Sequence, residues 1–376
     1  MIPFSRQRIY AEDVKEVVQV LRSNFLTKGK KVLEFEQNLR RKVNVKFAIS
    51  CNSGSSGLLL ACKAMSLKKN DLVWTVPNTY AASANCAIEC GAKIDFVDID
   101  DDTFNISIDK LEKKLSKTPK NKLPKIIVIV HLSGHPVDMQ KIKLLSLRFK
   151  FKVIEDASHA MGSVYKDSKI GDCKYSDICI FSFHPVKIIT TGEGGSILTN
   201  SKKLLNRMNT LRSHGINRKL KLKNNPWYYD QERLGYNYRM NEIEASLGIT
   251  QLSRLNKFIK ERNRIANIYK NLLDQKKIKF KKLVENTTSS MHLFVIRVNA
   301  KKRYKVYYNL KKKGITTNLH YIPIYRHSFY KKFKFKKSNF NNSEKYYHQA
   351  ISIPLYVGLK KKIQIKIIKI INQTLN

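Results

Sequence analysis

Between about residues 46 and 200, short β-branched runs alternate with stretches of helical character. A mainly parallel sheet covered by helices accommodates this pattern, because each parallel strand must be followed by a long crossover. The strand candidates are Phe47 to Ser50, Leu72 to Val76, Ile94 to Val97, Ile126 to Val130, Lys152 to Glu155, Ile178 to Phe181 and Ser196 to Thr199. Helices are expected at Ser56 to Met65, Ala81 to Cys90 and Asp138 to Arg148. These runs predict one wide α/β sheet.

After residue 240 the pattern becomes one long helical stretch, in which Ile243, Leu247, Leu252, Leu255 and Ile259 mark a single buried face. Beyond about residue 275 the signals shorten, with Leu293 to Val298 and Ile363 to Ile371 among them. A chain of 376 residues is too long for one small core. The expected division is a large domain over 1–250, with an N-terminal helical segment, and a connecting helix with a small C-terminal α/β domain over 251–376.

The formal net charge is +43, which invites a nucleic-acid partner. The lysines are spread along the whole chain, however, as in Lys30-Lys31, Lys68-Lys69, Lys311 to Lys313 and Lys360 to Lys362. With no basic tail or arm, the expectation is a composition bias and no nucleic-acid partner, the positive field serving to steer an anionic substrate. No uncharged apolar stretch approaches the ~20 residues of a membrane helix. Met1 to Arg8 holds no apolar leader run, so the expected location is the cytoplasm. The six cysteines form no Cys-x-x-Cys pair and are expected as reduced thiols.

Ligands of open α/β sheets bind beyond the carboxyl ends of the strands, so motifs at those places carry most weight. Asn52-Ser53-Gly54-Ser55-Ser56-Gly57 follows the first strand; small residues at a helix N-terminus suit a phosphate, or simply an N-cap turn. Ile154 to Ala160 ends a buried strand on Asp156. A carboxylate there calls for a cation or several donors, and a protonated pyridine nitrogen is such a partner. His159 is either a donor to a ring oxygen or a satisfied core histidine.

Phe181 to Gly195 carries Lys187 between apolar residues ahead of a glycine-rich turn. That setting suits a Schiff-base amine of lowered pKa, or else a loop lysine at the surface. Ser182 in the same segment could bind the phosphate that Ser55 binds. Gly235 to Glu242 offers an amide and a guanidinium for anion recognition, or only a helix entry capped by Asn241. The segment His131 to Asp138 matches no zinc spacing, so no metal is expected and Asp138 reads as an N-cap.

Taken in order, these segments resemble the DegT/DnrJ/StrS sugar aminotransferase family. Phe25-Leu26-Thr27-Lys28-Gly29, Glu34-Phe35-Glu36, Pro77-Asn78-Thr79-Tyr80, His131-x-x-Gly134-x-Pro136-x-Asp138-Met139 and His320 to Tyr325 extend the resemblance along nearly the whole chain. It implies an aspartate-aminotransferase-like fold (type I), pyridoxal 5′-phosphate as cofactor, and a homodimer with the active site shared across the interface. It further implies Lys187 as covalent anchor and Asp156 as partner of the pyridine nitrogen. His159 would face the ring hydroxyl, where many relatives have Gln. Tyr80 would stack on the ring, and Gly54, Ser55 and Ser182 would hold the phosphate with Asn237 of the partner subunit. Thr27, His184, His320 and Tyr321 fall on the substrate side.

Phe181 to His184, Arg212 to Gly215 and His320 to Tyr325 look most like the branch that aminates C4 of a UDP-linked 4-keto-6-deoxy-N-acetyl-hexosamine, with L-glutamate as donor, on the route to pseudaminic acid. Pro185 and Gly192 depart from that branch, where Ala, and Ala or Cys, are common. The alternatives are a dTDP- or GDP-linked keto-sugar aminated at C3 or C4, a pyridoxal-phosphate sugar dehydratase, and a non-catalytic basic protein. Dehydratase relatives typically carry histidine where this chain has Lys187.

Overall fold

The computed structural model describes residues 1–217 and 225–376. Its centre is a seven-stranded sheet in the order Phe47–Cys51, Gly195–Thr199, Ile178–Ser182, Lys152–Asp156, Ile126–Val130, Leu72–Thr75 and Lys93–Phe96. The four pairings among the last five strands are parallel, and only Gly195–Thr199 runs against both its neighbours. The seven expected strands are therefore the seven observed.

Both faces of the sheet are covered, which is why its strands read as continuous apolar runs. In Ile126–Val130, Ile127 and Ile129 join one apolar cluster while Ile126 and Val128 join another across the sheet. This is the period-two alternation of a strand with both faces buried.

Helix starts follow their caps. Ser53 accepts from Ser56 N–H, so the first helix after the sheet's edge strand runs Gly54–Ala64, two residues earlier than the apolar pattern implied. Asp138 caps Met139–Phe149 by accepting from Lys141 N–H, and Asn241 caps Glu242–Ser253 in a capping box with Glu244.

The expected single long helix is in fact two, Glu242–Ser253 and Leu255–Leu272, broken at Arg254. The Arg254 guanidinium donates to Asp13 Oδ1 at 2.7 Å and to Glu12 at 3.0 Å, both in the first turn of the helix Ala11–Leu21. Asp13 is fully buried there. The second helix begins in the main core at Leu255 and Phe258 and reaches a third cluster with Ile265, Ala266 and Tyr269. That cluster packs under an antiparallel sheet of Lys279–Phe280, Phe294–Arg297 and Ala350–Ile353, with helices Ala300–Lys312 and Lys361–Leu375. Among the described residues no helix is long and apolar enough to cross a membrane. All six cysteines are free.

Candidate active site

Four adjacent parallel strands end on the same edge of the sheet, and their outgoing turns converge there. They enclose a cavity of about 670 Å³. Asp156 is the last residue of Lys152–Asp156, and Ser182 is the last of Ile178–Ser182. Tyr80 follows the strand Leu72–Thr75, and the turn around Ser133 follows Ile126–Val130.

Asp156 is 6% exposed, yet its carboxylate is well supplied with donors. Ser83 Oγ donates to Oδ2 at 2.6 Å, and Ser158 Oγ to Oδ1 at 2.6 Å. The two hydroxyls satisfy the carboxylate's hydrogen-bonding capacity inside the protein.

Lys187 sits in the loop between Ile178–Ser182 and Gly195–Thr199, whose turn closes through Lys187 N–H to His184 carbonyl at 2.9 Å and Thr191 N–H to Phe183 carbonyl at 3.0 Å. Burial pushes its ammonium down to about 8, an effect that the Asp156 charge partly offsets. An amine in that range is a competent nucleophile and proton carrier near neutral pH.

The phosphate side is built from absence of bulk. A Cβ on Gly54 would lie 2.9 Å from Ser182 Cβ, so the helix N-terminus and Ser182 already touch. Ser53 satisfies Ser56 N–H, which leaves the first-turn N–H groups of Gly54 and Ser55 without intrahelical partners and available to an anion.

His159 is buried, with Nδ1 accepting from Ser133 N–H at 3.2 Å and Nε2 lying 3.1 Å from Tyr321 Oη. The Tyr321 ring lies 5.9 Å from that of Tyr80, which is 63% exposed toward the mouth. His320 lies deeper, 2.8 Å from Ser352 Oγ, and burial pushes its pKa down to about 3. His184 lies on the exposed rim, 3.9 Å from the Glu193 carboxylate.

The cavity thus gathers Gly54, Ser55, Tyr80, Asp156, His159, Ser182, His184, Lys187, His320 and Tyr321. Thr27 and Asn237 are not brought in: both are exposed and neither lines the cavity, with Asn237 bridged instead to Ser213. Ser83, Ser158 and Ser133 support the site although no motif in the sequence pointed to a role for them. The Asp-x-Ser spacing of Asp156 and Ser158 is a local hydrogen-bonding signal that could have found the second; the other two depend on tertiary approach alone.

Phe4 and Asn318 also line the cavity, brought from far along the chain. Among the described residues no group of three metal-binding side chains forms. His131 pairs with the buried Glu155 at 2.8 Å and accepts from Val137 N–H at 3.1 Å.

A partly buried amine of lowered pKa, a donor-fed carboxylate and an anion cradle in one cavity fit pyridoxal phosphate group by group. Fold and site together define a transferase of the aspartate-aminotransferase type, and the comparisons with known proteins agree. The description "DegT/DnrJ/EryC1/StrS aminotransferase family" matches residues 7–372. A Campylobacter jejuni protein named UDP-4-amino-4,6-dideoxy-N-acetyl-beta-L-altrosamine transaminase is 37% identical over 366 residues, covering 96% of this chain and 94% of that protein.

Helicobacter pylori PseC, described as an aminotransferase involved in the biosynthesis of pseudoaminic acid, superposes with a TM-score of 0.91 at 30% identity, over 99% of this chain and 98% of that one. The PMP form of the putative sugar aminotransferase Spr1654 from Streptococcus pneumoniae gives 0.92 at 28% identity, over 100% and 99%. The chain belongs to the DegT/DnrJ/EryC1/StrS aminotransferase family.

Proposed function

We propose that this aminotransferase moves an amino group from L-glutamate to C4 of a UDP-linked 4-keto-6-deoxy-N-acetyl-hexosamine, with pyridoxal 5′-phosphate anchored on Lys187. The observation that carries the proposal is the enclosed Lys187 amine, lowered to about 8, in one cavity with the donor-fed Asp156 carboxylate. The names of the Campylobacter and Helicobacter relatives support the substrate.

Bound here, the cofactor would supply an electron sink for charge developing at the amino acid's Cα. Asp156 would hold the proton on the pyridine nitrogen, its own charge stabilised by Ser83 and Ser158. Gly54, Ser55 and Ser182 would hold the phosphate, and Tyr80 would cover a face of the ring. Lys187 Nζ, as the free amine, takes the proton from glutamate Cα and later returns one at the sugar carbon. His184, His320 and Tyr321 would line the substrate side.

The working unit in this proposal is a homodimer. Phe25, Leu26, Leu33, Trp227 and Leu234 are exposed apolar residues suited to burial against a second copy, and Thr27 and Asn237 would enter the partner's site with that surface. The proposed location is the cytoplasm, where free thiols stay reduced.

Incubating the cofactor-loaded protein with glutamate and a panel of UDP-, dTDP- and GDP-linked keto-sugars, followed by mass, tests the assignment. The expected result is one new amine on the UDP-4-keto sugar; preference for another nucleotide or for C3 overturns the substrate. Mixing Lys187→Ala with Asn237→Ala subunits should restore activity absent from either alone, and no recovery would sink the shared site.

A further inference from the structure

A second cavity, of about 610 Å³, opens beside the three-stranded antiparallel sheet and shares no lining residue with the active-site cavity. It lies between the end of the helix Leu255–Leu272, the strand Lys279–Phe280 and the end of the strand Phe294–Arg297. Seven basic side chains line it, and among the described residues no acidic one does. In a chain of net charge +43 a basic surface alone marks nothing. What sets this groove apart is which of its cations lack a partner.

Four of the seven are already answered. Arg297 and Lys279 each donate to Asp101 at 2.7 Å, Lys282 donates to Asp102 at 2.8 Å, and Lys277 lies 3.8 Å from Asp274. Among the described residues Lys270, Lys276 and Lys281 form no ion pair, and the ammonium groups of Lys270 and Lys276 make no hydrogen bond. Lys270 is half-buried and Lys281 is 8% exposed. Lys281 Nζ donates to the Leu132 carbonyl at 2.7 Å and to Asn105 Oδ1 at 3.0 Å, both neutral, and an ammonium has a third proton to place. Burial lowers both ammonium groups, Lys281 well below its ordinary range, where only the Asp100 charge opposes it. Buried cations without a counter-ion are costly, and an anion entering the groove removes that cost.

A recess of about 10 Å³ adjoins the groove, and Lys270, Phe280 and Lys281 line both. That is about the least space that admits one water-sized group. Its wall includes Ser133 and His135, which are 1% and 4% exposed, and neither Ser133 Oγ nor His135 Nδ1 has a hydrogen-bond partner. Orphan polar atoms at this depth call for a polar guest.

We propose that this groove is a second ligand site, taking a small anion with several phosphate groups. One oxygen of that anion enters the recess beside Ser133 and His135, and Lys270, Lys276 and Lys281 supply the charge. The groove's volume falls within the roughly 300–1,000 Å³ of small-molecule sites. Ile278 and Phe280 form an apolar side on which a nucleoside could rest.

Calorimetric titration of the cofactor-loaded protein with inorganic triphosphate and with ATP tests this, in about 0.15 M salt to screen loose surface attraction. The variants are Lys270→Gln/Lys276→Gln and, as an equal change of charge on exposed surface, Lys361→Gln/Lys362→Gln. The groove variant should bind triphosphate at least tenfold more weakly and the surface variant less than twofold. Tighter binding of ATP than of triphosphate supports the site with a nucleotide as its guest; equal binding supports it with the phosphate chain alone. No saturable binding to wild type, or equal weakening by both variants, overturns the proposal. Binding that survives the groove changes undiminished places the anion elsewhere, the active site included, and also overturns it. Acetylation of wild-type lysines, mapped by peptide mass, needs no variant to fold: triphosphate should protect Lys270 and Lys276 and leave Lys361 and Lys362 reactive, and no such protection overturns the site.

Discussion

Replacing Lys187 by the similarly long but uncharged Met should make the cofactor-free protein more stable, because the lysine is held where its charge is disfavoured. Burial lowers the ammonium from 10.5 to about 8. At about 1.4 kcal/mol for each tenfold change in proton affinity, the disfavoured charge costs at most ~3.5 kcal/mol of folding free energy. Below pH 8 both folded and unfolded chains carry the proton, so the full cost is present. Between about 8 and 10.5 the folded chain releases its proton first and the cost fades. Above 10.5 both are neutral and the cost is gone.

Urea unfolding of cofactor-free wild type and Lys187→Met, at pH 7 and at steps toward pH 10.5, measures this. The variant should be more stable by about 2–3 kcal/mol at pH 7, with the gap closing as pH rises through the window. A variant of equal or lower stability at pH 7, or a gap that does not change with pH, would refute the reasoning.

Other expected outcomes follow from single contacts. Gly54→Ala places a Cβ 2.9 Å from Ser182 Cβ and so should weaken cofactor binding about tenfold, measured by fluorescence titration, with the unfolding midpoint of the cofactor-free protein changed far less. Asp156→Asn removes the charge fed by Ser83 and Ser158, and kcat should drop at least a hundredfold with the fold intact by circular dichroism. Arg212→Ala should lower stability by about 2–4 kcal/mol in urea. It leaves the half-buried Glu36 without its 2.9 Å partner and the Ser50 carbonyl without its donor, while the amide of Ser50 still reaches Glu36.

The fold was legible because the main sheet is buried on both sides, so Ile126–Val130 and its neighbours carry unbroken β-branched runs. Several motif residues also have visible structural work: Glu36 joins Ser50 to Arg212, and Gly134 admits the His159 turn. The break at Arg254 was not legible, since apolar periodicity continues through Leu252 and Leu255 and the ion pair that accompanies it is with the distant Asp13.

In the site, residues at strand ends were found by position, as with Asp156 and Ser182. Ser83 was missed because it reaches Asp156 from 73 residues away, through packing that no local pattern encodes. Thr27 rests on resemblance alone and Asn237 on the amide of its motif as well as on resemblance, and the single chain leaves both outside its cavity.

The central claim is that one lysine, in a chain with 72 lysines and arginines, holds the cofactor. Borohydride reduction of the cofactor-loaded protein, then digestion and peptide mass mapping, reads this directly. A single pyridoxyl group on the peptide containing Lys187 is the result expected; a label on a different lysine, or spread over many surface lysines with position 187 unmodified, would contradict it.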